Sequence, residues 1–154
     1  MPPVPPLSTE NLPSNAFTCT VLFIEDDPGE LAFWSNALKE CSSHYSVLET
    51  TTGHEGIELL RHHEVDCVVL DLDLSESSGF QFLLDLVPNR YRPERAVIIF
   101  TRLQNPTLEK MSFENGAQAF LVKQHTSAEA LNRAIQKAVT AVASALGKKP
   151  KRCA

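Results

Sequence analysis

VDCVVLDLD, residues 65 to 73, is the stretch on which the fold turns. Its middle is apolar at successive positions rather than at alternate ones, as in a strand covered on both faces of a parallel sheet. It then runs into Asp71 and Asp73. If the strand continues that far, alternation puts both carboxylates on one side, where like charges repel and each prefers water. They are either acids spilled into solvent at a strand end, or carboxylates that hold a metal, attack a phosphoryl group, or both.

Outward from this strand the chain repeats one unit. Upstream, TVLFIEDD reads as a buried strand ending in acids. DPGELAFWSNALKEC follows as a helix, with Pro28 in its first turn and Leu31, Trp34, Leu38 and Cys41 at helical spacing. HYSVLETT is a second strand, with Tyr45, Val47 and Glu49 on one face, and GHEGIELLRHH a second helix. Downstream, GFQFLLDLV predicts a helix closed by Pro88, and RAVIIFT a fourth strand. NPTLEKMSFENGA predicts a helix begun at Asn105-Pro106 and stopped at Gly116. QAFLVK is a fifth strand, and SAEALNRAIQKAVTAVASAL a long helix through Leu131, Ile135, Ala138 and Val142. Strict β-α alternation implies a parallel sheet with helices on both faces, doubly wound by right-handed crossovers. Such sheets bind ligands at the carboxyl ends of their strands.

The flanks differ in composition. Residues 1–19 hold five of the ten prolines and read as an extended or disordered leader; residues 20–146 form the domain, and 147–154 a basic flexible tail. A net charge of -5 argues against general nucleic-acid or membrane binding, and the short tail does not make a DNA-binding domain. No apolar run approaches the length of a membrane span, and residues 1–19 lack the pattern of a signal peptide. The four cysteines and five histidines show no metal-ligand spacing. The expectation is a reduced, cytoplasmic protein.

The strand ends carry the chemistry. The first ends in Glu25, Asp26 and Asp27, the third in Asp71 with Asp73 beyond, the fourth in Thr101 and the fifth in Lys123. Clustered carboxylates suit a hard cation such as Mg²⁺, which takes oxygen ligands and keeps waters. One carboxylate could then attack a phosphoryl donor, while a lysine and a hydroxyl meet the new phosphate oxygens.

In these segments the chain resembles the receiver domain of two-component response regulators, over residues 20 to about 146. The resemblance implies a flavodoxin-like doubly wound (βα)5 fold in strand order 2-1-3-4-5. VLFIEDDP is similar to that family's acidic segment, with Glu25 and Asp26 as its pair. VVLDLDLSESSG is similar to the phosphoacceptor segment, with Asp71 as acceptor and Gly79 eight residues on. VIIFT supplies the switch hydroxyl, Thr101; GAQAFLVK supplies the switch aromatic, Phe120, and Lys123. The resemblance also implies a mechanism. In it Asp26, Asp71 and the backbone carbonyl of Asp73 bind Mg²⁺, with Glu25 acting through water. Asp71 takes a phosphoryl group from a sensor histidine kinase or phosphotransfer protein. Lys123 neutralises a phosphate oxygen, Thr101 moves to bond another, and Phe120 moves with it. The face of the fourth helix, fifth strand and fifth helix then changes. The protein implied by this likeness is a switch rather than an enzyme, at most dephosphorylating itself.

The sequence also departs from that family. Ser75 and Gln124 stand where proline is usual, and a cis bond before Gln124 lacks the help of proline, at a cost of about 2.5–4 kcal/mol. Arg102 stands where alanine is preferred, and Asp73 adds a carboxylate that could repel phosphate or bond Arg102. Asp73 and Arg102 are therefore expected to tune the phosphoryl lifetime. The DxD of residues 71–73 also resembles haloacid dehalogenase-type phosphatases. That family places its metal-binding acids after the lysine, and here only Glu129 follows Lys123. A phosphorylation-independent interaction module is the other alternative. No output domain is expected in the few residues after 146, whether the chain is a complete single-domain regulator or an N-terminal portion. The output is then contact with an unknown downstream protein, phosphoryl relay, or a homodimer through the fourth-helix to fifth-helix face, with Met111 and Phe113 as contact candidates.

Overall fold

The computed structural model describes residues 18–74 and 79–148. Ser75, most of the leader and the end of the basic tail lie outside them. The elements are β1 (Cys19–Ile24), α1 (Pro28–Cys41), β2 (Tyr45–Thr50), α2 (Gly53–His62), β3 (Cys67–Leu70), α3 (Gly79–Leu86), β4 (Ala96–Thr101), α4 (Pro106–Glu114), β5 (Ala119–Val122) and α5 (Ala128–Ala145). The sheet is parallel throughout, in the order β2-β1-β3-β4-β5. This is the parallel sheet that the alternation implied, in the flavodoxin-like order that the resemblance implied.

The double coverage explains the unbroken apolar runs. Val21, Phe23, Val69, Ile98 and Phe100 point to one face, against Leu31 and Leu38 of α1 and Leu131, Ile135 and Val142 of α5. Leu22, Ile24, Val68, Leu70, Val97 and Ile99 point to the other, against Leu83 and Leu86 of α3 and the half-buried Leu59 and Leu108. β4 is buried at every position because both neighbours and both faces are occupied. Burial of this kind contributes about 1.5–3 kcal/mol per large aliphatic side chain.

The helices begin where short polar side chains can satisfy their free N–H groups. Asp27 caps α1, accepting from the backbone N–H of Gly29 at 2.8 Å and Glu30 at 3.1 Å, with Pro28 in the first turn. Asn105 caps α4 in the same way, ahead of Pro106. Thr52 and Ser127 cap α2 and α5.

Three details differ from the sequence reading. The buried stripe of α1 is Leu31, Ser35 and Leu38, with Trp34 half-buried and edge-on to Phe100 at 4.7 Å. β5 stops at Val122, and Lys123 opens a 3₁₀ turn, Lys123–His125. β3 stops at Leu70, so Asp71 and Asp73 are not alternate residues of a strand. The Asp71 carboxylate accepts the Asp73 N–H at 2.9 Å, a local turn that competes with further strand pairing. As a result Asp71 is buried and Asp73 exposed.

Candidate functional site

Four chain segments meet at the carboxyl edge of the sheet. Glu25 follows β1, Asp71 follows β3, Thr101 ends β4 and Lys123 follows β5. The alignment is fixed by the ladders: Ile24 pairs with Leu70, Leu70 with Ile99, and Thr101 with Val122. Glu25, Asp71 and Lys123 are each 6% exposed and Thr101 is fully buried. Ionisable groups stay buried only when paired, and these are. The Lys123 ammonium donates to Asp71 Oδ2 at 2.8 Å, to Glu30 Oε2 at 3.0 Å and to Glu25 Oε2. It also lies 5.7 Å from the centre of the Phe100 ring.

Gly79 lets α3 approach the loop that follows β3. A Cβ there would stand 2.5 Å from the Asp71 carbonyl oxygen and 2.5 Å from Leu72 Cα, inside any tolerable contact. The bare backbone instead donates from Gly79 N to the Leu72 carbonyl at 3.2 Å.

The charges are unequally shared. Burial pushes the Glu25 carboxyl up to about 8; Asp71 adds to the rise and Lys123 opposes it. Burial also works against ionised Asp71, but hydrogen bonds with Glu25, Lys123 and the Asp73 N–H hold it below its ordinary value. Burial disfavours the Lys123 ammonium too, yet Asp71 and Glu25 outweigh it and hold Lys123 above its usual value. The two acids are thus pushed in opposite directions, Glu25 up and Asp71 down.

Of the residues singled out in the sequence, Glu25, Asp71 and Lys123 come into direct contact. Asp26 and Asp73 line one open cleft of about 310 Å³ with Glu25, Asp71 and Arg102. Donors there are carboxylate oxygens, a set that fits a hard divalent cation. Thr101 Oγ1 accepts from the Leu103 N–H at 3.3 Å. Phe120 is half-buried beside Ile99 in the ladder and packs on the α3-side core. Gln124 Nε2 donates to the Arg102 carbonyl at 3.1 Å, and the peptide before Gln124 is trans.

Glu30 was not legible as a site residue. It brings a third carboxylate to Lys123, and one oxygen from each of Glu25, Glu30 and Asp71 lies within 4.8 Å of the others. Its other oxygen pairs with Arg102, so the Arg102 guanidinium meets Glu30 and not Asp73. Burial opposes ionised Glu30, but Lys123 and Arg102 more than offset it and keep its pKa low. In the sequence Glu30 is an acid in the first turn of a helix, a position the helix dipole favours anyway.

The response regulator receiver domain family matches residues 21–136. A probable cyclic di-GMP phosphodiesterase of Vibrio cholerae is 30% identical over 105 residues, 68% of this chain and 23% of the relative. Transcriptional regulatory protein GlrR of Escherichia coli is 31% identical over 119 residues, 77% of this chain and 26% of the relative. The chain thus spans about a quarter of the length of these curated relatives. The signal receiver domain of a putative Luxo repressor protein from Vibrio parahaemolyticus superposes with a TM-score of 0.72 at 23% identity, covering 81% of this chain and 92% of that one. A CheY-like receiver domain from Methanospirillum hungatei also gives 0.72, at 20% identity, covering 82% and 98%.

Fold and site together define an α/β receiver module of two-component signalling. The chain belongs to the response regulator receiver domain family. No helix among the described residues is long and apolar enough to cross a membrane.

Proposed function

We propose that this receiver is a phosphorylation switch whose acceptor is Asp71. The observation that carries the reading is the buried contact at 2.8 Å between the Asp71 carboxylate oxygen and the Lys123 ammonium, at the carboxyl edge of the sheet. An Asp71 oxygen bonds to phosphorus as the P–N bond of a donor phosphohistidine breaks. The leaving imidazole takes up a proton. The donor is a sensor histidine kinase or a phosphotransfer protein. Lys123 then pairs with a phosphoryl oxygen and Thr101 Oγ1 bonds another. Asp26, Asp71 and the Asp73 carbonyl would hold Mg²⁺, with Glu25 through water; the ion would supply charge neutralisation at the phosphoryl oxygens.

Thr101 and Phe120 carry the signal outward, because filling the site draws the end of β4 inward and frees space that Phe120 takes. The outcome is a shift between two populations of the α4-β5-α5 face. Met111 is 40% and Phe113 46% exposed on α4, which supports contact there with a downstream protein or a second copy.

The test is intact mass after incubation with acetyl phosphate and Mg²⁺. Wild type is expected to gain one phosphoryl group; Asp71→Asn and an EDTA control are not. No adduct, but rapid phosphate release, would point to a phosphatase. No adduct and no release, from a kinase as from acetyl phosphate, would leave a phosphorylation-independent interaction module.

A further inference from the structure

Lys123 has no donor to spare. An ammonium carries three N–H groups, and these are directed at Glu25, Glu30 and Asp71. A phosphoryl group on Asp71 inherits the N–H that Asp71 held, and its further anionic oxygens compete with Glu25 and Glu30 for the cations around them. The Glu25 side chain is 7% exposed and sits at the floor of the site; that of Glu30 is 19% exposed. Glu30 also borders a cleft of about 260 Å³ on the α1 side, lined by Gly29, Phe33 and Gln124, with room for a carboxylate to turn into water. Of the two glutamates it is the one with room to turn away.

Glu30 engages a second cation as well. Its Oε1 pairs with Arg102, on the loop after β4, while its Oε2 takes Lys123, after β5. A phosphoryl group presents the same thing on a larger scale, several anionic oxygens that can each take a cation.

We propose that Glu30 is a positioning residue that stands in for the phosphoryl group, holding in the resting chain the two cations, Lys123 and Arg102, that a phosphoryl group on Asp71 takes over. The inference rests on Asp71 being the acceptor. Its consequence is specific. Glu30 opposes entry of the phosphoryl group, because the cations must be released first. It does not govern exit, because by then the cations have already moved. Hydrolysis, in which water bonds to phosphorus as the Asp71 oxygen leaves, proceeds with Glu30 turned away.

The experiment tracks uptake from acetyl phosphate with Mg²⁺ by intact mass, then decay after donor removal, for wild type, Glu30→Gln, Glu30→Asp and Arg102→Ala, with Glu30→Gln/Arg102→Ala closing a cycle. Glu30→Gln is expected to raise the uptake rate about fivefold, the size of one partly exposed ion pair, and to leave decay within about twofold. Glu30→Asp keeps the charge but loses the span between two cations, so its uptake falls between the two. Arg102→Ala removes a cation that Glu30→Gln had freed, so it lowers uptake more in the Glu30→Gln background than in wild type. Uptake by Glu30→Gln at or below the wild-type rate overturns the proposal while leaving Asp71 as acceptor; so does a change confined to decay. Uptake by Glu30→Gln alone, with wild type silent, supports it. No uptake by either, from a phosphorylated histidine phosphotransfer protein as from acetyl phosphate, fells the acceptor reading and this inference together. Should Glu30→Gln fail to fold, Glu30→Asp decides: uptake no faster than wild type overturns the proposal.

Discussion

The middle of the sheet and its carboxyl edge are buried equally well by opposite means. Around Ile98 and Ile135, both fully buried, stability comes from removing aliphatic surface from water, and no single geometry is required. Around Lys123, also nearly inaccessible, the polar contacts are directional hydrogen bonds to three carboxyl groups. The first region can lose a methylene and relax. The second loses its compensation as soon as one partner goes, because the others keep the cost of burial. One domain therefore holds a core that depends on packing and an edge that depends on pairing, with Glu25, Asp71 and Lys123 directly following the core strands.

The widest gap between them is expected at Lys123. Lys123→Ala leaves the buried Glu25 and Asp71 without their shared cation, and a loss of about 3–5 kcal/mol is expected in urea unfolding, together with loss of phosphoryl uptake. A loss under about 1 kcal/mol would break the comparison, since it would mean the carboxylates relieve themselves by taking up protons. Ile135→Ala is the matching cut on the core side. It is expected to cost about 2–5 kcal/mol, yet to leave uptake at 20 °C within about threefold of wild type. If it abolished uptake in protein still folded, the edge would not be separable from the core.

This division also sets what could be read from the sequence. The core announced itself: VVL and VIIF are apolar without alternation, and that alone places helices on both faces. Asp71, Thr101 and Lys123 were legible because strand ends share one edge in a parallel sheet, so knowing the strands is knowing the neighbours. Glu30 was not, because it enters from the side of α1, and nothing local ties the first turn of a helix to a lysine 93 residues away. The end of β3 was misplaced for a different reason. The apolar run carried the strand one residue too far, to Asp71, whose carboxylate instead closes a turn on the Asp73 N–H. A side chain that competes with its own backbone leaves no mark on periodicity.

Gly79 lies on the border between the regions, on α3 and against the acceptor loop. Gly79→Ala drives a methyl into backbone at 2.5 Å, where no flexible side chain can give way. About 1–3 kcal/mol of overpacking strain is expected. Because the atoms displaced belong to Asp71 and Leu72, uptake should fall at least tenfold, measured on protein shown to be folded. An unchanged uptake rate would show that the acceptor loop absorbs the shift and that helix approach is a matter of packing alone.

The smallest expected effect sharpens the comparison most. Asp27 caps α1 through the N–H groups of Gly29 and Glu30. Asp27→Ala should cost about 1 kcal/mol, read as a small drop in urea midpoint at constant slope. A core helix held by Leu31 and Leu38 would tolerate that with no other consequence. Here the frayed turn is the one that carries Glu30, so its grip on Lys123 and Arg102 should loosen with the cap. Asp27→Ala is then expected to speed phosphoryl uptake modestly, in the same direction as Glu30→Gln and by less. In the Glu30→Gln background the same cap mutation should leave uptake unchanged while still costing its stability. Were it to slow uptake in both backgrounds alike, Asp27 would be acting on the acceptor cleft it borders, and the edge would depend on α1 for more than the placing of one carboxylate.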